Sequence, residues 1–436
     1  MTIRPPFLDL PAVAAVLAAL PGARAVGGCV RDALASRDSA DIDVAAPFPP
    51  DAIAERLRLA GLKVFETGLA HGTVTAVKDH LPVEVTALRR DVLTDGRHAA
   101  VEWTADWRED AARRDFTINA MSMAPDGTVF DYFGGRQDLA AGLVRFVGDP
   151  DTRLAEDYLR ALRFFRFQAR YGRGAPDASA VAAIRRAVPG LARLSAERVW
   201  MELKRILSVP DPVPAVSLMT ETGVLGAVLP EVRPPGLLPR LVATRAPADP
   251  MLRLAGLLVR DDQGAMMRAA SALPGRLRLS GSESALLAAM LGAVEDVAWN
   301  VFRIAPAVTG AELRRMLARA ARRWRGVDTT TLLSLRAWLA QALPRGAWFM
   351  PDAWTEDAEA WAALRRRIAA EPVPDFPLAG RDALALGVPP GPAVGALMEE
   401  LRAWWITRGC ADDRHACLAA LNRRLSGKSG GTALGG

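Results

Sequence analysis

The feature that most constrains this chain of 436 residues is a glycine pair followed shortly by two alternating aspartates. Gly27-Gly28-Cys29-Val30-Arg31-Asp32 begins directly after the apolar Ala25-Val26, and Asp41-Ile42-Asp43 follows it. Glycine has no Cβ, so the pair allows a strand to turn sharply into a helix. The spacing therefore predicts a strand, a tight turn, a helix and a second strand.

The polar groups of these two motifs suit a phosphorylated ligand. Backbone amides at the start of the predicted helix and the charge of Arg31 favour phosphate. A strand repeat of two residues would place Asp41 and Asp43 on one face, where oxygen ligands can hold Mg²⁺ on a triphosphate. Either motif alone is as well explained by chance or by an ordinary turn. Together they predict a metal-dependent nucleotidyl-transfer site.

Composition limits the classes of protein to consider. The length predicts several domains, and half of the residues are hydrophobic, which is ample for buried cores. Without a long apolar run or a secretory signal, we expect no membrane partner and a cytoplasmic location. Cys29, Cys410 and Cys417 form neither a disulfide framework nor a zinc motif. The net charge of +6 is weak evidence for an acidic partner such as nucleic acid.

Further strands are predicted after the aspartates, at His71–Val77 and Leu81–Leu88. If the second of these neighbours the aspartate strand, Glu84 could supply a third carboxylate, although an exposed glutamate fits equally well. The polar stretch 89–107 is expected to be a mobile functional loop. A last strand is predicted at Leu143–Val147, so residues up to 147 form a mixed α/β domain.

The motif Arg113-Arg114-Asp115-Phe116-Thr117-Ile118-Asn119-Ala120 combines apolar and polar positions. Its apolar side chains are expected to pack beneath the sheet. Arg114, Asp115 and Asn119 are then left for solvent or ligand.

From Asp151 onward the pattern is helical almost throughout. In the helix predicted over 156–166, four charged residues step by three: Asp157, Arg160, Arg163 and Arg166. One explanation is an exposed face with salt bridges. A second is base recognition, since cytosine and adenine both present an amino donor beside a ring-nitrogen acceptor. An aspartate and an arginine one turn apart would accept C and A and reject U and G.

In this order, the motifs above and Ser195-x-Glu197-Arg198 strongly resemble those of class II tRNA nucleotidyltransferases, the bacterial CCA-adding enzymes and their poly(A) polymerase relatives. The resemblance implies an α/β polymerase-β-like nucleotidyltransferase head followed by all-α domains. The expected division is a catalytic head at 1–147, a base-recognising neck at 148–210, a body at 211–325 and a tRNA-binding tail at 326–436.

The resemblance also implies roles for particular residues. Asp41 and Asp43 would be catalytic and would hold the metal, Mg²⁺. The incoming nucleotide would be bound by Gly28, Arg31, Arg114, Asp157, Arg160, Arg163 and Arg166. The reaction would add C, C and A to the tRNA 3′ end from CTP and ATP by nucleotidyl transfer of the two-metal type, without a nucleic-acid template. The partners would be the tRNA acceptor arm and the two nucleotides, and not DNA. The loop at 89–107 would occupy the place of a mobile segment that helps to switch from C to A.

Three alternatives remain open at this point. The chain could be a poly(A) polymerase, or a partial enzyme that adds only C or only A. It could also be a non-catalytic RNA-binding protein, although a silent fold has no need of the Asp41 and Asp43 pair. The four histidines include no His-Asp dipeptide, so no metal phosphohydrolase activity is expected.

Overall fold

The computed structural model describes residues 3–38, 41–69, 72–94, 99–260, 262–292, 304–346 and 354–429. The chain divides into two compact units, Met1–Pro230 and Glu231–Gly436. The finer division into head, neck, body and tail stays a prediction. In the described part of the chain, no helix is both long enough and apolar enough to cross a membrane.

The first unit contains a mixed sheet and a separate pair of strands. The strands described in it are β1 (Arg24–Val26), β2 (Asp43–Ala46), β3 (Lys63–Gly68), β4 (Thr73–Lys78), β5 (Leu81–Ala87), β6 (Arg89–Thr94), β7 (Ala99–Trp103), β8 (Ser122–Met123) and β9 (Val129–Phe130). The main sheet has the order β3-β4-β5-β2-β1-β8-β9, while β6 and β7 pair separately. Within it β2 runs parallel to β5 and antiparallel to β1. This arrangement places the aspartate strand at the centre of the sheet.

The sheet region also contains helices, and the rest of the first unit is made of helices. Those of the sheet region are α1 (Pro11–Ala19), α2 (Gly28–Leu34), α3 (Pro50–Leu59), α4 (Trp107–Ala112) and α5 (Gly135–Ala141). Those that follow are α6 (Pro150–Glu156), α7 (Leu159–Tyr171), α8 (Ala178–Ala187), α9 (Ala196–Leu207), α10 (Val213–Glu221) and α11 (Val224–Val228). A mixed α/β region followed by helices is the fold class that the sequence predicted.

A cluster of buried aromatic rings joins the two parts of this unit. Phe116 of the sheet region lies 4.9 Å from Phe146 and 5.2 Å from Phe167 of α7, measured between ring centroids. Phe164 stacks 6.1 Å from Phe146. Because each ring buries a large apolar area, this contact fixes the position of α7 against the sheet region.

The second unit is helical throughout its described residues. Its helices are α12 (Leu238–Ala243), α13 (Pro250–Leu258), α14 (Gln263–Leu277), α15 (Gly281–Leu291), α16 (Gly310–Arg323), α17 (Thr329–Gln341), α18 (Ala358–Ala370), α19 (Gly380–Ala385), α20 (Pro392–Thr407) and α21 (Arg414–Ser429). One apolar core surrounds Trp361, and another contains Trp405.

Three local predictions were wrong. The stretch 89–107 was predicted to be a loop, but it contains the paired strands β6 and β7, in which Arg89 pairs with Trp103. Residues 95–98 of this stretch lie outside the described residues. Leu143–Val147 is not a strand of the sheet. It makes one isolated bridge, from Phe146 to Phe116.

The helix predicted over 156–166 is also interrupted. Asp157 has an extended backbone, with φ −156° and ψ 107°, between α6 and α7. Its carboxylate accepts a hydrogen bond from the Leu159 amide at 3.0 Å. Aspartate often ends one helix and begins another in this way, because its side chain replaces a missing backbone acceptor. Asp157 therefore does not share a continuous helix face with Arg160, Arg163 and Arg166.

We expect Phe164→Ala to lower the free energy of unfolding of the first unit by about 3–5 kcal/mol, because it leaves a cavity among packed rings. Urea denaturation measures this change. Phe65→Ala is the matched control, since Phe65 is 42% exposed and its loss should cost less than about 1 kcal/mol. Equal losses in both variants would contradict a stabilising role for the aromatic cluster.

Candidate nucleotide-binding site

An open cleft of about 1100 Å³ lies within the first unit. It is lined by residues from α2, β2, α7 and α9 and from the segment after α4. All the residues that the sequence assigned to a site line this one cleft: Gly28, Arg31, Asp41, Asp43, Arg114, Asp157, Arg160, Arg163 and Arg166. The tertiary structure thus brings together motifs that are far apart in the chain.

The glycine turn has the conformation that its sequence predicts. Gly27 precedes α2 with φ +70° and ψ −121°, in a region that residues with a Cβ rarely adopt. A Cβ at this position would also lie 3.1 Å from a guanidinium nitrogen of Arg114. The turn therefore requires glycine for its backbone and for its close contact with Arg114.

The carboxylates meet at the start of β2. Asp43 is the first residue of the strand, Asp41 precedes it, and Glu84 of β5 lies opposite Asp43 in the parallel register. Burial raises the pKa of Asp43, the charges of Glu84 and Asp41 raise it further, and Arg114 opposes them. A carboxylate in such surroundings is stabilised by a bound cation.

Glu84 lies beside Asp43, as expected if their strands are neighbours. However, no three His, Cys, Asp or Glu side chains of the described residues form a metal-binding group. Glu84 is an exposed residue of β5, which is the alternative that the sequence left open. Its effect on the site is through its charge.

Buried hydrogen bonds hold Arg31. Its guanidinium donates to both carboxylate oxygens of Asp32, at 3.1 and 3.2 Å, and to the side-chain oxygen of Asn119 at 2.5 Å. Asn119 in turn donates to Asp115 at 2.9 Å, and Asp115 accepts from Arg163 at 2.7 Å. Asp115 and Asn119 are thus buried supports of two arginines rather than groups left for solvent.

Charge pairing keeps Asp115 ionised. Burial alone would raise the pKa of Asp115, but Arg163 and Asn119 hold it below the usual range. Burial lowers the pKa of Arg166 to about 10, although Glu202 opposes this effect. Burial disfavours the charged form of Arg163, but Asp115 raises its pKa, so both arginines remain cations at neutral pH.

The two residues predicted to select the base each have a fixed partner. Asp157 accepts from Arg198 at 2.6 Å, and Arg160 donates to the Arg153 carbonyl at 3.0 Å and to Glu156. A carboxylate and a guanidinium can each make further hydrogen bonds beyond these. Both side chains line the cleft in orientations set by the protein. Among the cleft residues, Arg198 belongs to a motif that the sequence singled out, whereas Tyr171 and Phe167 had no local signal.

The cleft as a whole is strongly positive. Ten of its lining residues are basic and four are acidic. Such an excess inside a concave surface attracts polyanions, since low-dielectric walls focus the field. A nucleoside triphosphate and an RNA strand both have the charge that this cleft favours.

Comparison with known proteins agrees with the geometry. The family model described as "Poly A polymerase head domain" matches residues 23–145, and that described as "Probable RNA and SrmB- binding site of polymerase A" matches residues 176–234. Among solved structures, the Bacillus stearothermophilus CCA-adding enzyme in complex with CTP has a TM-score of 0.71 at 24% identity, over 98% of this chain and 99% of that one. This likeness confirms the fold.

Two relatives extend the comparison to sequence. The mitochondrial CCA tRNA nucleotidyltransferase 1 of Danio rerio is 46% identical over 187 residues, which are 42% of this chain and 43% of that protein. The Mus musculus protein of the same name is 33% identical over 418 residues, which are 92% of this chain and 86% of that protein. The match to the mouse protein covers nearly the whole of both chains. This chain therefore belongs to the CCA tRNA nucleotidyltransferase family.

Proposed function

We propose that this chain adds C, C and A to the 3′ end of tRNA, using CTP and ATP and no nucleic-acid template. The observation that carries the proposal is the single cleft that joins Asp41 and Asp43 to Asp157 and Arg160. Asp41 and Asp43 can bind a metal ion for phosphoryl transfer. Asp157 and Arg160 can form hydrogen bonds with a base. A cleft with only the first pair would support nucleotidyl transfer without base selection, and a cleft with only the second pair would support nucleotide binding alone.

Base selection follows from hydrogen-bond donors and acceptors. The Asp157 carboxylate accepts from the exocyclic amino group of C or A, and the Arg160 guanidinium donates to the adjacent ring nitrogen. Uracil and guanine present a carbonyl and an N–H there, so both contacts become repulsive or unpaired. Arg198 and Glu156 keep the two side chains in place, so the protein itself acts as the template.

Asp41 and Asp43 fit a magnesium ion. Their oxygens are the hard ligands that Mg²⁺ prefers, and phosphate oxygens and water complete its shell in many nucleotide sites. Burial and the charge of Glu84 raise the pKa of Asp43, and a bound cation would favour its ionised form. When bound, the ion would lower the pKa of the attacking hydroxyl and neutralise developing phosphate charge.

The chain's own residues position the reactants. Arg31, Arg114, Arg163 and Arg166 bind the triphosphate and stabilise the charge on the leaving pyrophosphate. The bond from the tRNA 3′ oxygen to the α-phosphorus forms as the bond from that phosphorus to the bridging oxygen breaks. Orientation and charge supply most of the rate, so the reaction needs no protein nucleophile.

The remaining expectations belong to this proposal. The neck would contribute base recognition, and the helices beyond it would bind the tRNA acceptor arm. We propose a cytoplasmic location, supported by the free thiols of Cys29, Cys410 and Cys417.

Asp43→Asn should abolish incorporation of both CTP and ATP, by about 1000-fold or more, because the amide cannot replace a charged metal ligand. Binding of tRNA should persist. The assay follows labelled nucleotide on a tRNA that lacks its terminal CCA, and Asp51→Asn on the exposed start of α3 is the matched control. Substantial turnover by Asp43→Asn in Mg²⁺ would contradict the assigned role.

With the unmodified protein, the same assay distinguishes the alternatives. Ordered addition of C, C and A is the expected product. A long adenylate tail would instead identify a poly(A) polymerase, and addition that stops after C or requires a preceding C would identify a partial enzyme.

Arg160→Ala should reduce discrimination of CTP over UTP by about 10- to 100-fold, because a good base contact is worth about 1–3 kcal/mol. Competition between labelled CTP and UTP measures this ratio. Arg185→Ala, which removes an exposed arginine near the end of α8 outside the cleft, should leave it unchanged. Unaltered selectivity in Arg160→Ala would remove Arg160 from base recognition.

The excess of basic residues predicts a steep salt dependence of tRNA binding. Between about 50 and about 200 mM salt, the affinity should fall by about 100-fold or more, as bound phosphates release their counterions. Filter binding over this range gives the slope. An affinity independent of salt would mean that phosphate contacts do not drive binding.

A further inference from the structure

Tyr171 makes a long-range contact that the sequence did not indicate. It is the last residue of α7, and its buried hydroxyl donates to the Asp32 carboxylate of α2 at 2.5 Å. Its side chain also lines the cleft that holds the predicted nucleotide-binding residues. The contact therefore connects the helix that carries Arg163 and Arg166 to the helix that carries Arg31.

The helical geometry of α2 does not by itself place the Asp32 carboxylate against the Arg31 guanidinium. Neighbouring residues of a helix point about 100° apart, and they do not face each other as residues three or four apart do. The ion pair nevertheless forms with both carboxylate oxygens, and both side chains are less than one-tenth exposed. Two groups of α7 reach this carboxylate: the Tyr171 hydroxyl at 2.5 Å and the Arg170 guanidinium at 3.8 Å. The hydroxyl is the nearer of the two and is placed to keep the carboxylate turned toward Arg31.

The hydrogen bonds of Arg31 leave part of its guanidinium available to a ligand. A guanidinium has five N–H donors. Among the described residues, three hydrogen bonds are formed by Arg31, two to Asp32 and one to Asn119. The remaining donors can bind phosphate, and their direction depends on how Asp32 and Asn119 hold the group.

The Tyr171 ring supports the same arginine. The guanidinium carbon of Arg31 lies 4.5 Å from the centroid of this ring and 5.1 Å from that of Phe167. Arg37 and Arg170 approach the Tyr171 ring at 4.9 and 5.4 Å. An aromatic face attracts a cation without neutralising it, so the arginines stay close together while keeping their charge for a ligand.

We propose that Tyr171 is a positioning residue for nucleotide binding, acting on Arg31 through Asp32 and through its own ring. This inference rests on the proposed function, in which Arg31 binds the incoming triphosphate. Tyr171 sets the direction in which the free donors of Arg31 meet the phosphates.

The test is Tyr171→Phe, which removes the hydroxyl and retains the ring. We expect the KM for CTP and for ATP to rise about tenfold, because a small displacement of a binding group is costly. The KM for tRNA should not change. A merely structural contact would instead reduce thermal stability and affect both substrates.

Two further variants trace the path of the effect. In Tyr171→Phe combined with Asp32→Asn, the KM for CTP should equal that of Asp32→Asn alone, because both changes interrupt the same connection. The control is Tyr132→Phe, since the Tyr132 hydroxyl accepts from Arg24 at 3.3 Å and the residue does not line the cleft. Its KM values should match those of the unmodified protein.

Arg31→Ala distinguishes a failure of the positioning role of Tyr171 from a failure of the proposed function. If Arg31→Ala raises the KM for CTP and Tyr171→Phe does not, the positioning role is overturned and the proposed function stands. If Arg31→Ala leaves the KM for CTP unchanged, the role of Arg31 fails and the inference fails with it. Equal increases in the KM for CTP and for tRNA in Tyr171→Phe would also overturn the inference.

Discussion

The cleft depends on holding many positive side chains close together despite their mutual repulsion. Three buried carboxylates do much of this: Asp32 on Arg31, Asp115 on Arg163 and Glu202 on Arg166. Each carboxylate accepts from an arginine and leaves other donors of that arginine available. The positive charge is therefore organised by the protein and remains available to a polyanion.

At the start of β2 the balance of charge is reversed. Burial and Glu84 disfavour the ionised form of Asp43, and Arg114 compensates only in part. The cleft thus places a region short of positive charge beside a region rich in it. A metal ion with a triphosphate has the charges that would suit both regions.

The break between α6 and α7 determines how Asp157 and Arg160 are held. An uninterrupted helix would set Asp157 and Arg160 on one face by helical spacing alone. Instead, Asp157 lies in extended backbone and is held by Arg198 of α9, while Arg160 is held by Glu156 of α6. The relative position of the two side chains therefore depends on the packing of three helices.

The sequence by itself determined the local elements and the chemistry. The glycine turn and the buried Phe116 follow from short-range rules, because backbone freedom and apolar spacing are local properties. The two-residue repeat predicts both aspartates on one strand, but β2 begins at Asp43 and Asp41 precedes it. The motifs also sufficed to predict the family and the residues of the cleft. Only the tertiary structure decided the register of Asp43 beside Glu84, the pairing of β6 with β7, the interruption at Asp157 and the contact of Tyr171 with Asp32. The contact of Tyr171 with Asp32 joins residues 139 positions apart, and no repeat in the sequence indicates such a pairing. The other three depend on which strands and helices pack together rather than on a periodic pattern.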